Sequence, residues 1–182
     1  MRVARSRVHA IRLLTSLLVV APTSLAAPQA AAGPGLLTCP IGVQAISYNP
    51  GITFVPQQGT TSITSVFGPC LSPTRPDITS ATSSGTAPQT YSCLTVLGGP
   101  ATTVTRTYLW NTGETTVATY TLMTNRVGGV TIVTLKGVVT AGLFAGSPIT
   151  QVAQDPVPRL LECLSPQGVT QQGGTVSLLI GA

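Results

Sequence analysis

Apolar and polar positions alternate in short runs along most of this chain, and Gly or Pro interrupts the runs about every eight to twelve residues. The clearest run brackets Asn111-Thr112-Gly113. Ahead of it Val104, Arg106, Tyr108 and Trp110 alternate with Thr103, Thr105, Thr107 and Leu109; behind it Ala118, Tyr120 and Leu122 alternate with Val117, Thr119, Thr121 and Met123. A period of two sends neighbouring side chains to opposite faces of a strand. The short loop ending in Gly suits a type I turn closed by a left-handed residue. A second hairpin is expected at Arg126-Val127-Gly128-Gly129, leading into Val130 to Leu135. The same reading places strands near 39–47, 60–67, 77–83, 90–97, 102–110, 115–124, 129–139, 147–153 and 174–180. Ser72 to Gln89, punctuated by Pro73, Pro76 and Pro88, reads as a loop, an edge strand or both. Strands at this spacing, rich in Thr, Val, Ile and Tyr, predict an all-β fold: one antiparallel β-sandwich of immunoglobulin-like type over 33–182, with little or no helix.

The first residues break this pattern. Arg2, Arg5, Arg7 and Arg12 form a basic front, Leu13 to Ala21 an apolar run, and Ser24-Leu25-Ala26 or Ala30-Ala31-Ala32 a cleavage sequence of small residues. These are the parts of a secretory signal peptide over 1–32, cut near 26/27 or 32/33. The apolar run is too short to span a bilayer core of about 30 Å as a helix. The chain is therefore expected to be secreted and extracellular, with no membrane anchor.

Subtracting that segment changes the charge picture. The formal charge of +5 falls nearly to neutrality, because Arg75, Arg106, Arg126, Lys136 and Arg159 face Asp77, Glu114, Asp155 and Glu162. Five scattered cations do not make a surface for releasing phosphate counterions, so nucleic acid is excluded as a partner. The only histidine, His9, leaves with the signal, and with it histidine-based triads and zinc sites. A carboxylate pair built from Asp77 with Glu162 or Asp155 stays open, since folding sets such separations. The simpler assignment of each carboxylate is a solvated turn or cap. No cofactor or metal motif is present.

Cys39, Cys70, Cys93 and Cys163 all follow the signal. Four cysteines in an exported chain read as two disulfides with three formal connectivities. The arrangement with neither interlaced nor nested loops, Cys39–Cys70 with Cys93–Cys163, is preferred. Two further groups merit attention. Tyr108 and Trp110, with Tyr120 across the hairpin, are either a platform for stacking sugars or the aromatic anchor of the core. Arg159, in Pro156-Val157-Pro158-Arg159, has the stiffness near a disulfide that an inhibitory loop for proteases uses to limit ordering entropy.

Thr38-Cys39, Tyr48-Asn49-Pro50-Gly51-Ile52-Thr53, Tyr91-Ser92-Cys93-Leu94, Trp110-Asn111-Thr112-Gly113, Ala141-Gly142-Leu143-Phe144-Ala145-Gly146 and Leu161-Glu162-Cys163-Leu164 give the chain a resemblance to small secreted Thr-rich all-β proteins of unassigned function from Streptomyces-like actinobacteria. The resemblance implies a Thr-rich sandwich with two disulfides and supplies no activity. The pattern of the secreted subtilisin inhibitors of such bacteria is missing. The expectation is a non-catalytic binding or structural module at the cell surface or in the medium. Its partner would be an extracellular protein or glycan, and its strand edges offer a route to self-association. The alternatives are a protease inhibitor presenting Arg159 and a carbohydrate-binding domain using Tyr108 and Trp110.

Overall fold

A computed structural model describes residues 36–95, 102–157 and 160–181. The expected signal peptide and Arg159 lie outside these residues. Successive strands are β1 (Leu37–Cys39), β2 (Gly42–Ile52), β3 (Gln57–Phe67), β4 (Ala81–Tyr91) and β5 (Thr102–Trp110). They continue as β6 (Thr115–Val127), β7 (Val130–Gly142), β8 (Pro148–Pro156) and, after the single turn of helix α1 (Leu160–Cys163), β9 (Val169–Ile180). The fold is all-β with almost no helix.

These strands build a barrel, which corrects the expected immunoglobulin-like sandwich. From β2 to β8 each strand pairs antiparallel with the next in sequence. β9 then closes the ring. Its first half pairs with β2, through Val43↔Thr175 to Ser47↔Gln171, and its second half pairs with β8, through Ile149↔Ile180 to Gln154↔Thr175. β1 extends the β2 side of the same strand, Leu37 opposite Ile180. The offset between the two halves of β9 is the stagger that a tilted, closed sheet requires. Alternation could not distinguish the two architectures, because a sandwich and a barrel both bury one face of each strand.

The two expected hairpins are present. Gly113 has φ 85°, and its N–H bonds the carbonyl of Trp110 at 2.9 Å, while Val127 pairs with Val130 across Gly128-Gly129. Ser72 to Gln89 is both loop and edge strand, one of the readings its sequence allowed. The two separate strands expected here are not formed as such, and residues 96 and 97 of the second lie outside the described residues. Instead of strands near 77–83 and 90–97, residues 81–91 form one strand, and all eleven of them pair with β3. Pro88 is accommodated because β4 beyond Ser83 has no partner on its other side, where a missing N–H costs nothing. The preceding segment is an ordered loop. Ser72 Oγ donates to the Leu36 carbonyl at 2.8 Å, and Asn111 Oδ1 accepts from the backbone N–H groups of Thr79 and Ser80.

Inside the barrel are two separate cores. The larger surrounds Trp110, Tyr108, Tyr120, Phe67, Phe144 and Ile149 at the end where β4 begins. Trp110 stacks with Tyr108 at 6.4 Å and meets the Phe144 ring edge-on at 6.0 Å. Phe144 holds a left-handed φ of 64°, a conformation an L-residue adopts at a cost of about 1 kcal/mol or more, and one its packing against Trp110 offsets. The smaller core holds Ile46, Tyr48, Ile52, Tyr91, Cys93, Cys163 and Val169 at the other end. Cys39–Cys70 and Cys93–Cys163 are the disulfides, the connectivity preferred from sequence.

Candidate functional site

One seam of the barrel is incomplete. β4 and β5 pair only through Ala81↔Trp110, Thr82↔Leu109 and Ser83↔Tyr108. Beyond that rung β4 stays with β3 as far as Tyr91, and β5 stays with β6 as far as Thr102. The chain has a local reason to part here. Cys93, two residues past the end of β4, is bonded to Cys163, and its N–H donates to the Thr53 carbonyl at 2.8 Å. These links hold the end of β4 in the smaller core, on the β2 and β9 side, while β5 follows β6.

The parting leaves a cleft of about 760 Å³, within the range of about 300–1,000 Å³ common to small-molecule sites. It runs between the two cores. Val104 and Leu122, which pack on the larger core, line it together with Ile63 and Tyr91 of the smaller one. Threonines, among them Thr61, Thr102 and Thr124, make up much of its polar lining.

At the closed end of the cleft lies Arg106. It occupies the inward register of β5, with Val104, Tyr108 and Trp110. Its side chain is half-buried, and its Nε is buried without a hydrogen-bond partner. Among the described residues the salt bridges belong to Arg75, which holds Asp77 at 2.8 Å and Glu114 at 2.5 Å on the surface. Gly85, the first inward position of β4 beyond the ladder, makes room for the guanidinium: a Cβ there would sit 2.8 Å from Arg106 Nη1. Ser83 Oγ, one inward position earlier on β4, is also buried without a partner.

Arg106 acts electrostatically on a buried tyrosine pair. Tyr108 donates to Gln151 Oε1 at 2.6 Å, so Tyr120, 2.6 Å from the Tyr108 oxygen, supplies the proton of their shared hydrogen bond. Burial pushes the Tyr108 hydroxyl up to about 12, against the pull of the Tyr120 hydrogen bond and of Arg106. Burial and Tyr108 push Tyr120 higher still, again against Arg106. Both phenols are neutral at physiological pH, so neither neutralises the guanidinium. Asp155 is a buried carboxylate of the barrel, and its two oxygens each accept from Gln44 Nε2 at 2.9 Å. Burial raises its pKa, and the Gln44 hydrogen bonds oppose the rise.

The residues singled out from sequence fall elsewhere. Tyr108, Trp110 and Tyr120 are together, as expected, but on the inner face and at most 2% exposed. They are the core anchor, and they present no ring for a sugar to stack on. Trp110 Nε1 donates to Thr116 Oγ1, which donates in turn to the Leu143 carbonyl. Asp77 and Asp155 do not form a carboxylate pair: Asp77 is held by Arg75 outside the barrel, whereas Asp155 is inside with Gln44. Among the described residues no group of three His, Cys, Asp or Glu is placed to hold a metal ion. Arg106 drew no attention in the sequence beyond its charge. Its signal was positional, a cation on the strand face that otherwise carries Val104, Tyr108 and Trp110.

No protein-family model, curated protein or solved structure matches the chain.

Proposed function

We propose that this protein is a secreted, non-catalytic binding module that takes a small, partly apolar ligand into the cleft between β4 and β5. The observation that carries the reading is the incomplete seam: an otherwise continuous barrel leaves an apolar-walled space open where a full ladder would have sealed it. An eight-stranded barrel has an interior that side chains can just fill, or that can hold one small ligand. Here the two cores do not meet along that seam, and the gap between them has the mixture of apolar wall and few polar groups typical of ligand sites. Two disulfides agree with folding in an oxidising compartment. No helix among the described residues is long and apolar enough to cross a membrane.

N-phenyl-1-naphthylamine, a neutral probe that fluoresces in apolar surroundings, tests the reading. The expected result is saturable binding of one probe per chain, lost when Val104→Trp fills the cleft while the melting temperature is retained. Absence of saturable binding, or binding that Val104→Trp leaves intact, refutes it.

A further inference from the structure

We infer that the ligand of this cleft is a monoanionic amphiphile: a carboxylate head against Arg106, with an unbranched apolar body lying between Val104 and Leu122 on one side and Ile63 and Tyr91 on the other. The inference rests on the reading of the cleft as a ligand site and names the chemistry that site selects.

The charge argument comes first. Arg106 lines the closed end of the cleft, and no carboxylate lines it. The nearby phenols are neutral, the buried Asp155 carboxylate is held by Gln44 away from the cleft lining, and the surface carboxylates Asp77 and Glu114 are engaged by Arg75. One uncompensated positive charge in a half-buried position favours one negative charge, since a buried donor without a partner is costly and a charge-assisted hydrogen bond is strong. Geometry narrows the head group. Nε is sheltered by the protein, while the half-buried guanidinium lines the cleft and its Nη1 faces Gly85 across the seam. A guanidinium edge offers two parallel donors that match the two oxygens of a carboxylate.

The body of the ligand follows from the walls. Leaving Arg106, the cleft passes Val104 and Leu122 and reaches Tyr91 and Thr102, where β4 ends and β5 begins. Val104 and Leu122 on one wall and Ile63 and Tyr91 on the other give an extended hydrocarbon chain its apolar surface along this path.

The competing occupant is a peptide strand added to the free edges of β4 and β5. Two residues oppose it. Pro88 has no N–H to offer an added strand, and Arg106 already reaches across the seam to β4 at Gly85, two residues past the last paired position.

Displacement of N-phenyl-1-naphthylamine from the purified protein by decanoate, decan-1-ol and decyltrimethylammonium tests the inference. Decanoate should bind at least about tenfold tighter than decan-1-ol, and the cation weakest. Arg106→Gln should erase the preference for decanoate while still binding the naphthylamine. Gly85→Ala, whose added Cβ displaces the guanidinium, should act in the same direction. Should decan-1-ol match decanoate, or the preference survive Arg106→Gln, the ligand class is wrong although the cleft still binds. Failure of the naphthylamine itself to bind removes the cleft reading and this inference with it. Displacement by an end-blocked (Thr-Val)₃ peptide, unchanged in Arg106→Gln, would assign the seam to a strand partner and overturn the inference.

Discussion

Replacing Arg106 with Met should stabilise the empty protein. The guanidinium carries a positive charge at the closed end of the cleft without a salt bridge among the described residues, and its Nε is buried without a partner. An unsatisfied buried donor costs about 1–3 kcal/mol. Because Arg106 is only half-buried, the lower end applies, about 1 kcal/mol. Methionine keeps an unbranched stem of similar reach, leaves no donor, and adapts to the space between Val104 and Tyr108. For a domain of this size 1 kcal/mol corresponds to about 2–4 °C in Tm. Paired urea and thermal denaturation of wild type and Arg106→Met, without ligand, should show that gain with an unchanged m-value. The same variant should lose the preference for decanoate, so stability and binding move in opposite directions, as they do where function holds a costly group in place. A loss of 1 kcal/mol or more in the variant, on the scale of a broken charged hydrogen bond, would mean that Arg106 is a structural tie and that the argument from its missing partner is mistaken.

Asp155 sets a pH dependence whose sign follows from burial. Its carboxyl is raised, so the folded state binds that proton more tightly than the unfolded chain. Stability from this group grows as pH falls from the folded pKa towards the ordinary carboxylate value, and the ionised form costs stability above it. Asp155→Asn should therefore raise the denaturation midpoint at pH 7 and flatten the difference in stability between neutral and mildly acidic solution. Asp77 and Glu114, lowered by Arg75, act in the opposite sense, losing their contribution as pH falls through their folded values. Replacing Cys93 and Cys163 together with Ala removes a closure spanning 70 residues, worth up to about 4.4 kcal/mol in the chain-entropy model. Chemical denaturation should show it as the larger loss, against about 3.7 kcal/mol for the 31-residue separation of Cys39 and Cys70. Hydrogen exchange should then quicken first near Tyr91, where that bond anchors the end of β4. Trp110 is 2% exposed, so its emission should be blue-shifted and shielded from iodide until global unfolding. An iodide-quenched native emission would place it outside the core.

Much of the local structure was legible without coordinates. The alternation on either side of Asn111-Thr112-Gly113 set the hairpin, its inner face and the burial of Trp110, because a period of two allows only one face to be apolar. Four cysteines with one untangled pairing indicated both disulfides. The turn at Gly128-Gly129 was equally plain. Strand β4 was harder to see, since Gly85 and Pro88 are residues that ordinarily end a strand; they persist here because one side of β4 is unpaired beyond Ser83.

Closure was beyond local reading. Whether inward faces pack sheet against sheet or wrap around one axis depends on whether β9 finds β2 and β8 together, a pairing between residues more than a hundred positions apart in the case of Val43 and Thr175. The site depends on closure twice over. Arg106 is one of five scattered cations until the ring turns its face inward, and the cleft lies where β4, with Cys93 just past its end bonded to Cys163, parts from β5. The sequence by itself determined strands, turns, disulfides and the low charge remaining after the first 32 residues, all of which follow from local pattern and residue chemistry. Only the tertiary structure decided that the strands form a barrel with one parted seam and an unpaired cation inside it, because both arise from contacts between residues far apart along the chain.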